Sequence, residues 1–394
     1  MAARTSHPAE PAGQGAPLRV SVLGGGPAAA ELLLALRAQA GERVALELIT
    51  PDPLLPLRAA STGAAFGKST MEVYDLAELT RDVGATLRLD VAEAVATRAR
   101  RIRLASGATA NYDVLVVAVG ARARAGVPGA AVFRDQRDCR LIEDLLADLR
   151  ESDVERVAFA APAGVAWTLP LYELALLTAG EINRRGLPAE VVLVTPERRP
   201  LEVFSSATSS LVESLLADRG VRLLTGTAAT GVGHGRLELR SGGSLAVDRV
   251  IAAPRLVGRR VAGIPTDWNA FIPTDGSGCV ADVPDVFAAG DVTTFPVKQG
   301  GLATQQADVI AAALARRAGA DVPAPPARYV LRTRLLGPEQ PLYLRTELDG
   351  QGRVLSSTTP AFTDEPPWWP AAKLFGRHLS PWMATHRAID PVAA

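Results

Sequence analysis

The sequence predicts an α/β protein built from two open parallel sheets, the second inserted within the first. Three observations favour this class. A strand, a Gly-rich turn and a helix follow one another from Leu18, a second buried strand ends at Gly120, and a third strand ends at Gly290 just before another helix. Between the last two, residues 139–247 carry their own alternation of strands and helices, which indicates the inserted unit.

Composition narrows the class of function. The 394 residues are enough for two or three domains, and 48% hydrophobic with 21% charged residues can bury large cores. Lysine plus arginine equals aspartate plus glutamate, 42 each, so the balance of charge does not favour nucleic acid or an anionic membrane surface as a partner.

Cysteine and histidine usage argues against a metal centre. Cys139 and Cys279 are the only cysteines, and they form no Cys-x-x-Cys motif. The four histidines (His7, His234, His378 and His386) show no metal-ligand spacing. We therefore expect neither a metal site nor a local redox dithiol.

The sequence shows neither a signal-peptide pattern at its N-terminus nor a membrane-spanning run. Residues 1–17 are rich in Ala, Pro and Gly and lack an apolar core, so we expect a flexible tail rather than a signal peptide. No run of 18 apolar residues occurs, so no transmembrane span is expected. The prediction is a cytoplasmic protein.

The first motif is the Gly-rich turn after the strand Leu18–Leu23. In this pattern Gly24 allows the tight turn, Gly26 admits a diphosphate close to the backbone, and Ala29 is the small residue where helix packs on strand. Together with Pro27 and Ala28, these three residues form a candidate dinucleotide site.

The second strand, near residues 43–50, departs from the dinucleotide pattern. An acid usually ends this strand and binds the ribose hydroxyls, but here the position holds Thr50, with Asp52 two residues later. Arg58 is a candidate for the cofactor phosphates; an ordinary surface arginine is the alternative.

Two later motifs complete the set. Residues 112–121 read as a buried strand in which Ala118 and Gly120 end the run. Residues 286–289 read as another buried strand, followed by Gly290, Asp291 and a helix pattern that starts near Gly301. An acid at the carboxyl end of such a strand is placed to accept a hydrogen bond from a ligand hydroxyl.

In this order the three motifs resemble those of the two-dinucleotide-domain flavoproteins, the pyridine nucleotide-disulfide oxidoreductase-like superfamily. The resemblance implies two Rossmann-like domains, for FAD and for NAD(P), and one non-covalently bound FAD. Asp291 would hold the ribityl chain or the diphosphate, and the helix at Gly301 would point at the flavin's pyrimidine edge. Lys298 and Gln299 are then the candidate catalytic residues beside the ring, with a surface role as the alternative.

The inserted unit resembles the NAD(P) domain of this superfamily, but its phosphate turn is degenerate. It reads Ala-Pro-Ala-Gly-Val-Ala-Trp from residue 161, where Pro162 lacks an amide and Trp167 adds bulk. The nearest resemblance is to sulfide:quinone oxidoreductases and type II NADH dehydrogenases, without the catalytic cysteines. We therefore expect NAD(P)H to be a poor donor, and we expect no cysteine-based sulfide cycle. Glu173, on the helix after this turn, is interpreted as a solvated acid rather than a flavin contact.

The C-terminal piece is Trp-rich. Residues 364–383 hold three of the five tryptophans, and prolines and a glycine leave room only for short helices. A dimer contact or a lid on the FAD domain is favoured, and peripheral contact with the inner face of the membrane is the alternative.

The predicted organisation is a tail (1–17), an FAD-binding domain (18–125 and 246–322), a degenerate NAD(P)-binding-like domain (126–245) and a C-terminal interface segment (323–394). The predicted function is an FAD-dependent oxidoreductase that passes electrons from an unidentified small donor to a quinone or another small acceptor. Two alternatives stay open: an NAD(P)H-dependent flavin oxidoreductase with a non-standard turn, and an FAD-binding accessory subunit with little turnover.

Overall fold

A computed structural model describes residues 16–151, 153–324, 328–337, 339–355, 362–370 and 372–389. Most of the predicted N-terminal tail lies outside these residues. The described helices are α1 (Pro27–Ala40), α2 (Leu76–Asp82), α3 (Cys139–Glu151), α4 (Leu169–Arg185), α5 (Ser206–Ala217), α6 (Gly300–Arg317) and α7 (Leu379–Thr385).

The strands are short and numerous. They are β1 (Leu18–Leu23), β2 (Val44–Thr50), β3 (Leu54–Pro56), β4 (Val73–Asp75), β5 (Thr86–Leu89), β6 (Ala92–Ala96), β7 (Arg101–Leu104), β8 (Thr109–Asn111), β9 (Val114–Val117), β10 (Ala121–Arg124), β11 (Ala131–Val132), β12 (Arg156–Ala160), β13 (Glu190–Val194), β14 (Val221–Leu224), β15 (Ala229–Gly233), β16 (Arg236–Leu239), β17 (Ser244–Ala246), β18 (Arg249–Ala252), β19 (Arg255–Gly258), β20 (Val286–Ala288), β21 (Arg328–Leu335), β22 (Leu342–Asp349), β23 (Val354–Leu355) and β24 (Phe362–Thr363).

The first sheet confirms the predicted α/β class. Its strand order is β20-β9-β1-β2-β5, and every pair is parallel. The carboxyl ends of β1, β9 and β20, where the three motifs lie, therefore meet at one edge of the sheet. Helices α1 and α6 pack closely on one face, through small and aliphatic side chains such as Ala29, Leu33, Ala307 and Ala311.

The second sheet is also parallel, with the order β11-β18-β12-β13-β14. Its strands come from residues between β9 and β20 of the first sheet, which confirms that one unit is inserted in the other. The two strands that join the units, β10 and β19, pair antiparallel to each other. The helix predicted to follow the degenerate turn is α4, and Pro170 lies in its first turn as expected.

The C-terminal piece contains an antiparallel sheet that the sequence motifs did not indicate. Strands β21 and β22 pair over eight residues each, and β23 and β24 both pair with β22. Buried and partly exposed residues alternate along β21, as expected of a strand with one packed face. Within the Trp-rich run the described helix is the short α7, consistent with the predicted short helices.

Candidate functional site

The Gly-rich turn after β1, the candidate diphosphate site, has a backbone that requires glycine. Gly24 has φ +107°, and a Cβ there would lie 2.4 Å from the carbonyl oxygen of Ala118, so only glycine fits. A Cβ at Gly26 would meet no protein atom within 4 Å. The space beside Gly26 therefore opens at the start of α1, which begins at Pro27 without a side-chain cap. Its first amides are free to bind an anion.

The other two motifs converge on the same edge. The amide of Ala118 donates to the Leu23 carbonyl at 2.8 Å, which ties the end of β9 to the end of β1. Gly120 follows with φ +68° and open space at its Cβ position. A Cβ at Gly290 (φ +79°) would lie 3.2 Å from the Cβ of Ala303 and 3.4 Å from that of Ala28, so this glycine lets the loop contact both helices.

Asp291 is the acid at this edge of the sheet. It directly follows Gly290 and is partly exposed, and among the described residues none donates a hydrogen bond to its carboxylate. Burial raises the pKa of Asp291, and the charges of Lys298 and Arg58 oppose that rise. Its carboxylate is therefore available to accept a hydrogen bond from a ligand.

Lys298 is a buried cation next to Asp291. Its side chain is 7% exposed, its Nζ donates to the Thr293 carbonyl, and it lies 4.2 Å from the centre of the Phe271 ring. Burial lowers the pKa of Lys298 to about 8, against the opposing charges of Asp291 and Asp267. It is therefore not a surface lysine. Its action on the flavin remains a prediction.

Gln299 has a structural role that the sequence did not indicate. Its Oε1 accepts from the Leu302 amide at 3.0 Å and so caps α6, whose first turn contains Gly301. Its Nε2 donates to the Arg332 carbonyl at 3.1 Å, which joins α6 to the C-terminal sheet. A hydrogen bond from Gln299 to the flavin ring would compete with these contacts and remains a prediction.

Arg58 and Asp52, the candidates for the adenosine half of the site, both have partners within the protein. The Arg58 side chain is 57% exposed and forms an ion pair with Asp135 at 3.3 Å (Nε to Oδ2). The Asp52 carboxylate accepts from the Leu54 amide at 3.0 Å, within its own turn. The Asp52 carboxylate is therefore engaged within its own turn, and the lack of a ribose-binding acid at this place stays a prediction.

These features fit FAD. The open start of α1 suits the diphosphate, and Asp291 suits a hydroxyl of the ribityl chain. When bound, FAD supplies the redox chemistry. The buried Lys298 supplies positive charge beside the acid, which would stabilise negative charge that develops nearby.

The turn of the inserted unit contains two bulky rings. Side-chain atoms of Pro162 lie where a Cβ on Gly126 would be only 2.7 Å away, and the centroids of the Trp167 and Phe204 rings are 6.3 Å apart. Gly164, within the same turn, has φ +72° and open space at its Cβ position. Glu197, which follows β13 where a ribose acid is expected, accepts from the hydroxyls of Tyr172 (2.7 Å) and Thr195 (2.9 Å). This acid is therefore engaged within the protein.

The interpretation of Glu173 as a solvated acid is wrong. Glu173 is fully buried, and its Oε2 lies 2.6 Å from Nζ of Lys373, itself 6% exposed. Its carboxylate also accepts from the Thr62 hydroxyl at 2.5 Å and the Leu336 amide at 2.9 Å. One carboxylate thus joins both dinucleotide units to the C-terminal piece. The apolar run around it on α4 was the available signal for burial.

A second buried acid was also missed. Glu31 on α1 accepts from the amides of His378 and Leu379, both at 2.7 Å, and so holds the start of α7. Potential ligand atoms of Glu31, Asp308 and His378 lie within 4.8 Å of one another. Burial, followed by the charge of Asp308, raises the pKa of Glu31 to about 8, and burial raises that of Asp308 to about 6. Because burial and the neighbouring Asp308 both disfavour the charged form, Glu31 favours its protonated form.

This pair predicts a pH dependence of stability. Since the pKa of Glu31 rises from 4.5 to about 8 on folding, the folded state binds more protons between these values. The free energy of unfolding should therefore fall as pH rises through this window, by about 1.4 kcal/mol per pH unit at most. Glu31→Gln should flatten the fall. Urea unfolding at several pH values between 5 and 9 measures it, and an unchanged slope in the variant contradicts the assignment.

The fold and site together define a flavoprotein with two dinucleotide-binding units. The chain belongs to the pyridine nucleotide-disulphide oxidoreductase family, whose model matches residues 18–313. It is an FAD-dependent oxidoreductase.

Curated relatives include the ferredoxin reductase component of chlorobenzene dioxygenase from Cupriavidus sp. (strain PS12), 28% identical over 76% of this chain and 75% of that protein. Another is monodehydroascorbate reductase 3 of Arabidopsis thaliana, 36% identical over 28% of this chain and 27% of that protein. The sulfide:quinone oxidoreductase of Aquifex aeolicus shares the fold, with a TM-score of 0.75, 20% identity and coverage of 88% and 87%.

No described helix is long and apolar enough to span a membrane. The two cysteines are free and have different surroundings: the Cys139 sulfur is 3.8 Å from the Ser61 carbonyl oxygen, and that of Cys279 is 3.3 Å from the Ser277 hydroxyl. Burial raises the pKa of the Cys139 thiol, which makes it a weak nucleophile.

Proposed function

We propose that this enzyme takes electrons from a small donor other than NAD(P)H and passes them to a quinone or another small acceptor. The observation that carries the proposal is the composition of the turn before α4. Pro162 offers no amide to a diphosphate, and Trp167 places a large ring just before the helix. A dinucleotide diphosphate needs free amides and no side chain at this place.

The second candidate is an NAD(P)H-dependent flavin oxidoreductase. It is favoured by the relatives, one of which is the ferredoxin–NAD(+) reductase subunit of the benzene 1,2-dioxygenase system of Pseudomonas putida. That protein is 26% identical over 72% of this chain and 68% of its own length. An anaerobic titration that follows bleaching of the flavin with NADH, NADPH and sulfide separates the two candidates. An FAD-binding subunit with little turnover, the third alternative, predicts no reduction by any of them.

The C-terminal piece supports peripheral membrane contact as a route to a quinone. Trp369 is 84% exposed, so its ring is available for contact with a membrane surface or a partner. A homodimer contact through the same ring is the alternative. Co-sedimentation with vesicles of neutral lipid, compared between the wild type and Trp369→Ser, separates the two, because only membrane contact predicts vesicle binding that the variant loses.

NADH should reduce the flavin slowly and without saturation in the micromolar range. Each lost charged contact to the diphosphate is worth about 1.5–3 kcal/mol, or roughly tenfold or more in affinity. Trp167→Gly should increase the rate by removing the large ring from the turn, whereas Trp369→Gly should leave the rate unchanged. Stopped-flow absorbance of the flavin measures both. Rapid reduction of the wild type by micromolar NADH contradicts the proposal.

A further inference from the structure

A groove of about 530 Å³ lies beside β10 and the start of α3. Its lining carries four arginines and two aspartates, namely Arg124, Arg134, Arg137, Arg140, Asp138 and Asp144. Because lysines and arginines balance acids over the whole chain, 42 to 42, this excess of positive charge is a local feature. The groove is outside the three FAD motifs.

Two of the four arginines are neutralised by buried acids. Arg134 pairs with Asp138 at 2.6 Å, and Arg137 pairs with Asp135 at 2.6 Å. The two aspartates are 6% and 4% exposed, so both pairs are fixed parts of the wall. Among the described residues, Arg124 and Arg140 have no carboxylate within ion-pair distance.

Arg124 lies at a position where a neighbouring strand makes a positive charge unfavourable. In the β10–β19 pair it lies directly opposite Arg255, and like charges in this position destabilise a sheet. Arg255 is held by Asn269 (3.0 Å, Nη2 to Oδ1) and lies 5.8 Å from the Trp268 ring, so no acid relieves the repulsion.

Arg140 also lies where the amino end of a helix disfavours a positive charge. It is the second residue of α3, whose first turn contains no acid. The amino end of a helix carries partial positive charge, so an acid is preferred there and a cation is disfavoured. Glu143 and Asp144 lie three and four residues after Arg140 on α3 and offset this effect, although neither forms an ion pair with it. Arg124, opposite Arg255, is the arginine whose position stability does not explain. Departures of this kind concentrate at functional sites.

Further positive charge surrounds the groove. Arg122 is two residues before Arg124 on β10 and so projects from the same face of the strand. Burial, together with the charges of Arg122 and Arg58, lowers the pKa of Arg259, which follows β19. The field over this surface therefore attracts anions.

We propose that this groove binds a small organic anion with at least two negative charges, a polycarboxylate or an organic phosphate. Guanidinium groups bind both kinds of oxyanion in a bidentate manner, and Arg124 and Arg140 are the groups in the groove wall without an acidic partner. The volume is within the range of small-molecule sites. The site is independent of which compound reduces the flavin.

The test uses the FAD-loaded protein, with citrate and inorganic pyrophosphate as probes at constant ionic strength. Calorimetry should show saturable binding to the wild type, and the two probes distinguish a carboxylate from a phosphate preference. Arg124→Glu combined with Arg140→Glu should weaken binding at least ~tenfold, since each charged contact is lost and reversed. Arg101→Glu, on the exposed side of β7, is the matched control and should leave binding unchanged.

The double variant should fold about as well as the wild type. The Arg124→Glu change places an acid opposite Arg255, which is favourable. Arg140→Glu places an acid at the start of α3, which is also favourable, but its negative charge is opposed by Glu143 and Asp144 three and four residues later. The melting temperature without probe should therefore be close to that of the wild type, and the flavin content unchanged. A lower melting temperature would show that the arginines are structural. Absent binding of both probes, or equal binding by the double variant, would overturn the proposal.

Discussion

Replacing Gly26 by valine should give a folded protein without FAD. The Cβ position of Gly26 faces open space, with no protein atom within 4 Å, so the added side chain does not disturb the fold. It does occupy the space beside the first amides of α1, where the diphosphate has to approach. We expect a colourless protein with a wild-type far-ultraviolet circular dichroism spectrum, checked by flavin absorbance after reconstitution.

The matched control is Gly276→Val. Gly276 also has open space at its Cβ position and lies in an exposed turn away from α1, so this variant should retain FAD. Gly24→Ala is expected to behave differently from both, because its Cβ would collide with the Ala118 carbonyl and destabilise the sheet itself. A yellow Gly26→Val protein with full flavin content would refute this description of the site.

Replacing Lys373 by methionine should destabilise the protein by about 3–5 kcal/mol, the usual effect of leaving one buried charge without its partner. Lys373 is 6% exposed and Glu173 is fully buried, so water cannot replace the lost cation. Burial lowers the pKa of Lys373, and the adjacent Glu173 opposes that effect. Chemical denaturation of the FAD-loaded protein measures the loss.

Two comparisons make this result specific. Lys373→Met combined with Glu173→Gln should recover much of the stability, because no buried charge remains unpaired. Arg353→Met, which removes an exposed ion pair with Asp349, should cost less than about 1 kcal/mol. Equal losses for Lys373→Met and Arg353→Met would mean that the buried pair does not join the three parts of the chain.

Local patterns explain why so much of the fold was predictable. The motifs at Gly24, Gly120 and Gly290 each consist of a strand and its following turn, so a few neighbouring residues carry the whole signal. The strand β1 was predicted to the residue, and β20 to within one. The sheet of the C-terminal piece was missed although its alternation is visible in β21, because the tryptophans and prolines that follow it favoured short helices.

The contacts that were missed join residues far apart in sequence. Glu173 and Lys373 are 200 positions apart, and Glu31 is 347 positions from the amide of His378. A lone acid in a helical pattern does not indicate its distant partner, so the sequence by itself favours a solvated Glu173. Gln299 shows a related difficulty. Its capping contact with α6 is local in sequence, but the second contact of its side chain, with the C-terminal sheet, is not.

The first sheet contains strands that are synthesised early and strands that are synthesised late, and this order affects how the chain folds during translation. Its edge strand β20 pairs with β9, and α6 covers α1, yet both arrive only after the whole inserted unit has been synthesised. Until then the apolar side chains of α1, such as Leu32 and Leu36, lack their final cover and Asp291 is absent. The apolar surface of α1 is therefore exposed for most of translation, which favours aggregation of the nascent chain. FAD binds only late in synthesis, once Asp291 is present.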